Sequence, residues 1–262
     1  MDFVKAGKTA EENFVIVNNF NKSKSNPIWN FFIVNNLIHE NEIINYYFVR
    51  VTSQVYSTLV NKKVYPKSDV YIIKANISET LLKEKKYLLT EEELKLFSYS
   101  IMKNSGISIK RESSKNYQII KMNPSCFYSL FNNFELGAAA SLFCKNINEF
   151  YKNHLVLKGW HTNIEKLETY FNQKISFAAT EENKNNLKLL KNQAINTIET
   201  LINSSPQISE KIFFGKGVFA DPYYATFSYF HGIFSYIEKI PFTVTTGSGR
   251  SHGDFTIVLK PK

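Results

Sequence analysis

The sequence predicts an α/β fold, and three observations carry that expectation. Segments with apolar residues at helical spacing and recognisable caps, such as TAEENFVIVNNF (residues 9–20), recur along the chain. Between them stand short β-branched or aromatic runs bounded by turn residues, such as VYIIK (70–74) and GISIK (106–110). A hydrophobic content of 44% with 15% aromatics over 262 residues supplies a large core, while only Gly 10 and Pro 7 mark an ordered chain and not a linker. One domain spanning 1–262 is expected, without internal repeat or low-complexity tract.

In the first helix Thr9 stands as N-cap and Glu12, three residues on, completes a capping box, with Ala10, Phe14 and Val17 near one face. Residues 27–60 are aromatic and free of Gly and Pro after Pro27, so helix and strand compete there, and helix is favoured. VYPKSDVYIIK (64–74) reads as a turn and a strand, because Pro66 excludes a helix interior and Val70 to Ile73 are β-branched or aromatic. Residues 88–106 suggest a capped helix: Thr90 precedes three glutamates, Leu94 and Phe97 follow at helical spacing, and Gly106 marks a stop. GISIKRE is then a strand whose alternation sends Ser108 and Lys110 to one face. YQIIKM (117–122) suggests a further strand, and residues 123–154 a helical wall with close packing at Ala138, Ala139 and Ala140. Two amphipathic helices follow, at 166–173 and 180–205, the second with a stripe of Leu187, Leu190, Ala194, Ile198 and Leu201. Residues 206–262 turn aromatic and β-prone, punctuated by Gly and Pro.

Lys+Arg 32 against Asp+Glu 23 gives a net charge of +9, which suits a polyanionic partner and is also what a Lys- and Asn-rich genome produces. Cys126 and Cys144 stand in apolar surroundings with no second ligand at metal-site spacing, so both read as reduced packing residues. The first residues are too polar for a signal peptide, and no apolar run approaches the roughly 18 residues that span a bilayer. A cytoplasmic protein without a membrane partner is expected.

One carboxylate, Asp69, sits on the lip of a strand, and Lys110 follows in the next strand with a helix expected between them. Taken singly, such an Asp is a turn residue and such a Lys an edge charge. Together, Pro66-Lys67-Ser68-Asp69-Val70-Tyr71-Ile72 and Gly106-Ile107-Ser108-Ile109-Lys110-Arg111 resemble the PD-(D/E)xK nuclease superfamily, and more narrowly its type II restriction endonucleases. The stretch ISIKRESSKNYQIIKM is similar to a segment of tetranucleotide-cutting restriction enzymes. The resemblance covers about residues 1–125. It implies a central mixed β-sheet flanked by helices, with a PD-(D/E)xK restriction-endonuclease-like core.

It also implies Mg2+-dependent hydrolysis of double-stranded DNA at a specific site. Asp69 would be the metal ligand, completed by a backbone carbonyl near Ile109, phosphate oxygens and water. Lys110 would position or deprotonate the attacking water and stabilise transition-state charge. Two departures stand out: Pro66 precedes Asp69 by three positions instead of one, and Ser108 replaces the usual acidic residue, removing a charged ligand while leaving a hydroxyl for a metal-bound water. A second carboxylate is expected from the first helix, Glu11 or Glu12, with Glu11 preferred because the capping box occupies Glu12.

For DNA contacts the candidates are Lys67 and Arg111 beside the two motifs, Lys216 between Gly215 and Gly217, and Ser248, Arg250 and His252 in TVTTGSGRSHGDF. That last stretch reads equally as a hairpin turn before FTIVLK. His252 with Asp254 is disfavoured as a metal pair, since no third ligand stands at suitable spacing, and Asp221-Pro222 reads as a turn. Restriction enzymes of this kind match a palindrome with a homodimer, although monomers cut short sites too, and they have a cognate DNA methyltransferase as genetic partner. Two other readings stay open: a non-cleaving nucleic-acid-binding protein on the same fold, and a repair or RNA nuclease of the same superfamily.

Overall fold

The computed structural model describes residues 3–110, 117–142, 153–247 and 255–262. In chain order its elements are α1 (Phe3–Phe20), α2 (Pro27–Val34), β1 (Tyr46–Arg50), β2 (Val55–Ser57), β3 (Lys62–Val64), β4 (Val70–Ala75), α3 (Glu79–Glu84), β5 (Tyr99–Ile101), β6 (Ile107–Ile109), β7 (Ile120–Met122), α4 (Pro124–Phe131), α5 (Phe134–Ser141), α6 (Asn153–Gly159), α7 (Ile164–Phe171), α8 (Glu181–Ser204), α9 (Pro206–Ser209), β8 (Phe227–Phe230), β9 (Ile233–Tyr236), β10 (Phe242–Thr246) and β11 (Ile257–Pro261). The fold is α/β with a mixed central sheet flanked by helices. Residues group into two compact units, Met1–Lys115 with Phe214–Glu238, and Asn116–Phe213 with Lys239–Lys262. The β-prone stretch 206–262 is therefore shared between them.

The first unit is built on a sheet of order β1-β4-β6-β8-β9, with β5 also paired to β4. β4 runs antiparallel to both β1 and β6, with Phe48 opposite Ile72 and Val70 opposite Ile107. β6 runs parallel to β8, matching Ile107 to Phe227 and Ile109 to Tyr229. Val70 to Ile73 form an unbroken apolar run because both faces of β4 are covered. Val70 and Ile72 join Phe48, Ile107 and Phe227 against Phe14 of α1 and Trp29 and Phe32 of α2. Tyr71 and Ile73 face the other way, into a cluster with Val49, Leu82, Leu89 and Leu94.

Buried amides tie the helices to this sheet. The Asn19 amide donates to the Phe48 carbonyl at 2.9 Å and its oxygen accepts from the Phe48 N–H at 2.8 Å, satisfying backbone groups that sheet pairing leaves over. Asn26 caps α2 by accepting from Ile28 N–H at 2.9 Å, with Pro27 in the first turn where a missing N–H costs nothing.

Several expectations are corrected here. α1 begins at Phe3, so Thr9 lies inside the helix and forms no capping box with Glu12. Residues 27–60 are not one helix: α2 ends at Val34 and the chain turns into β1 and β2. Thr90 does engage Glu93, whose carboxylate accepts from its N–H and hydroxyl at 2.9 and 2.6 Å, but only one 3-10 turn follows, Glu93–Leu96. Pairing of β5 with β4, Ile101 opposite Ile73, takes the next residues. A helix, α3, does lie between β4 and β6 as expected, but the two strands are antiparallel, so the segment carrying α3, the 3-10 turn and β5 is not a parallel-strand crossover.

In the second unit β7 pairs with β11 and β11 with β10. Thr180 caps α8, whose buried stripe is Leu187, Leu190, Ala194, Ile198 and Ile202. Leu201, expected on that stripe, is 36% exposed, because the 3.6-residue period carries the face to its neighbour by the last turn. Gly137 of α5 admits the fully buried Trp160, since a β-carbon there would lie 2.2 Å from the indole ring. Cys126 is free and buried, and burial pushes its thiol up to about 11. Cys144 lies outside the described residues. Among the described residues no helix is long and apolar enough to cross a membrane.

Candidate active site

Asp69 is fixed by its own backbone before its side chain is considered. Its N–H donates to the Ile107 carbonyl at 2.8 Å and its carbonyl accepts from Val51 N–H at 2.9 Å, so the residue is pinned between neighbouring strands. The turn before it is held too: the N–H groups of Lys67 and Ser68 both donate to the Tyr223 carbonyl at 3.1 Å, and the buried Ser68 hydroxyl donates to the Pro222 carbonyl at 2.9 Å. The KSD segment therefore enters β4 in one conformation, which is what a positioned functional carboxylate requires.

The Asp69 carboxylate reaches β6. Oδ2 accepts from Ile109 N–H at 2.7 Å and from the Ser108 hydroxyl at 3.5 Å, the limit of a hydrogen bond. Desolvation dominates its chemistry and raises its pKa, against the lowering influence of Lys110, then the Ile109 N–H, Lys67 and Ser108. Burial also brings Lys67 down to about 7, helped by repulsion from Lys110 and opposed by attraction to Asp69. Asp69, Ser108, Lys67 and Lys110 thus share one electrostatic centre at the ends of adjacent strands.

Glu11 joins it from α1. Its carboxyl is raised by burial and then by Asp69, against its hydrogen bond and charge interaction with Arg50. Arg50, at the end of β1, holds Glu11 through Nε at 2.9 Å and Glu12 through a terminal nitrogen at 3.1 Å. Glu12 is therefore occupied by a salt bridge, not by the capping box expected of it. Arg50 was missed from the sequence, and its signal was a cation closing the apolar run YYFV. Lys216 is exposed on the turn at Gly215, where absence of a side chain lets the Lys67 stem approach; a β-carbon on Gly215 would lie 3.0 Å from that of Lys67. Arg111, Ser248, Arg250 and His252 lie outside the described residues. Asp221 accepts from the Asn104 N–H at 3.1 Å, in keeping with a turn residue.

A hard divalent cation wants several oxygen donors. Asp69 offers a half-buried carboxylate whose desolvation nearby cations only partly offset, which fits a cation of this kind, and Glu11 is a second carboxylate that feels its charge. Ser108 adds no charge, and among the described residues no three His, Cys, Asp or Glu side chains converge as a ready cage. The donor set therefore fits an ion that takes much of its coordination from substrate and water. Comparison with known protein families finds no matching family, and comparison with curated proteins finds no matching sequence.

Proposed function

We propose that this protein is a Mg2+-dependent endonuclease acting on double-stranded DNA at a specific sequence, a type II restriction endonuclease with a PD-(D/E)xK-like core. The observation that carries the reading is the desolvated Asp69 carboxylate, hydrogen-bonded to the backbone of β6 and held within the charge field of Lys110. Enzyme sites store such unfavourable charge where a cation or a substrate will offset it.

Asp69 and Glu11 would hold the metal ion, which when bound supplies Lewis-acid stabilisation of charge on the phosphate. Lys110 orients the attacking water and faces the negative charge that builds as the new bond to phosphorus forms and the bond to the leaving oxygen breaks. Ser108 offers a hydroxyl to water in the site. Arg50 keeps Glu11 oriented. Lys67, Arg111 and Lys216 contact phosphates, and Ser248, Arg250 and His252 contact base edges. A homodimer on a palindrome and a cognate methyltransferase complete the proposal, with a cytoplasmic location.

Ser108 supports a second reading, a non-cleaving DNA-binding protein on the same fold, because it removes one charged ligand. The two separate on a labelled duplex. Asp69→Ala and Lys110→Ala abolish cleavage and keep the mobility shift if the site is catalytic; a Lys110→Ala protein that still cuts removes the mechanism.

A further inference from the structure

A cleft of about 640 Å3 opens beside Lys110, lined by α1, the start of α2 and the β8–β9 hairpin. That size suits a small organic ligand. Among the described residues of its lining Lys110 is the one charged side chain, and none is a carboxylate. The rest of the lining is amide and apolar. Asn18 and Asn26 spend their amides inside the protein, on the Phe14 carbonyl and on each other. Asn13 and Asn21, one helical face along, are exposed, and Val17 between them is 56% exposed although it is apolar. Tyr229 contributes a ring, and Gly232 in the hairpin turn leaves open space, with nothing within 4 Å of where a β-carbon would sit.

A cation, exposed amides and an aromatic ring in one cleft match the parts of a nucleotide: phosphate, base edge and base face. We propose that this cleft receives a single unstacked nucleotide whose phosphate lies at Lys110. The inference rests on the nuclease reading for its substrate and adds that one nucleotide next to the reacting phosphate leaves the base stack, as enzymes acting on extruded nucleotides require.

The test uses the full chain without metal and the four deoxynucleoside 5′-monophosphates, with the corresponding nucleosides as controls, measured by calorimetry. At least one monophosphate binds the wild type, and Lys110→Met weakens it at least tenfold while changing nucleoside binding less. Val17→Trp, which fills the cleft from an exposed helical position, weakens both at least tenfold. Asn13→Leu repeats the test at a second exposed site, and thermal melts check that each variant folds. No monophosphate binding to the wild type, or wild-type binding by both cleft variants, overturns the proposal. Monophosphate binding that responds to these variants, in a protein that leaves DNA intact with Mg2+, upholds the cleft and refutes the endonuclease. DNA cleavage by a protein that binds no monophosphate does the reverse.

Discussion

Replacing Asp69 with Asn should make the protein more stable at neutral pH while abolishing the proposed cleavage. Asn preserves the shape of the side chain and can still accept from Ile109 N–H, the 2.7 Å bond that positions Asp69. What it removes is the desolvated charge. Because the carboxyl is raised above its ordinary 3.8, the folded protein holds that proton more tightly than the unfolded chain does. The ionised group therefore costs stability above its folded pKa, and the cost is relieved as pH falls through that value towards the ordinary one. Leaving a polar group without full compensation inside a protein costs about 1–3 kcal/mol, so the gain from Asp69→Asn at pH 7.5 should be of that order, or about 2–4 °C in Tm for each kcal/mol. Urea melts of both proteins at pH 7.5 and at about pH 4 measure it, and the difference should shrink on acidification. A variant less stable than wild type at pH 7.5, with a deficit that closes on acidification, would show a carboxylate that stabilises the fold and would refute the reasoning.

Three further outcomes follow from the same geometry. Arg50→Met leaves Glu11 and Glu12 without their shared cation and should destabilise the protein by about 1–3 kcal/mol, below the range for fully buried pairs because Glu12 is a third exposed. That loss should shrink as pH falls, since protonated Glu11 no longer needs the guanidinium, and denaturant melts across pH check it. Gly137→Val drives side-chain atoms into the Trp160 ring and should cost about 1–3 kcal/mol or more, read from the shift of the urea midpoint. Arg250→Ala should lower discrimination between cognate and altered sites by about 1–3 kcal/mol, measured by competition binding, if its guanidinium reads a guanine.

How much of this was legible beforehand depended on whether local pattern or long-range pairing decided each segment. Asp69, β4 and β6 were legible because Pro66 stops a helix and the runs at 70–73 and 107–109 carry strand chemistry in a few residues. The residues at 91–106 misled because their cap and glutamates are those of a helix, while the edge of β4 recruits 99–101 as a strand, a demand made by residues far away in sequence. Thr9 had the chemistry of a cap, but α1 continues upstream of it. Glu11 was preferred over Glu12 for a reason the fold removes; Arg50 binds both, and the Glu11 carboxyl is raised by burial and then by the charge of Asp69. Lys67 was read as a DNA contact on charge alone, and its desolvation beside Asp69 could not be seen without the Tyr223 carbonyl that holds the turn. The parallel pairing of β6 with β8 joins residues on either side of Asn116–Phe213, the longer segment of the second unit, a separation at which no sequence pattern reports.

The central claim is that Asp69 and Lys110 cut DNA with the help of Mg2+. The most direct measurement incubates the purified protein with unmethylated phage DNA, in Mg2+ and in EDTA, and resolves the products on a gel beside those of Asp69→Asn. Discrete fragments from the wild type in Mg2+ alone, with none from Asp69→Asn, are the predicted result. Intact DNA under every condition, shifted in mobility or not, would contradict the claim.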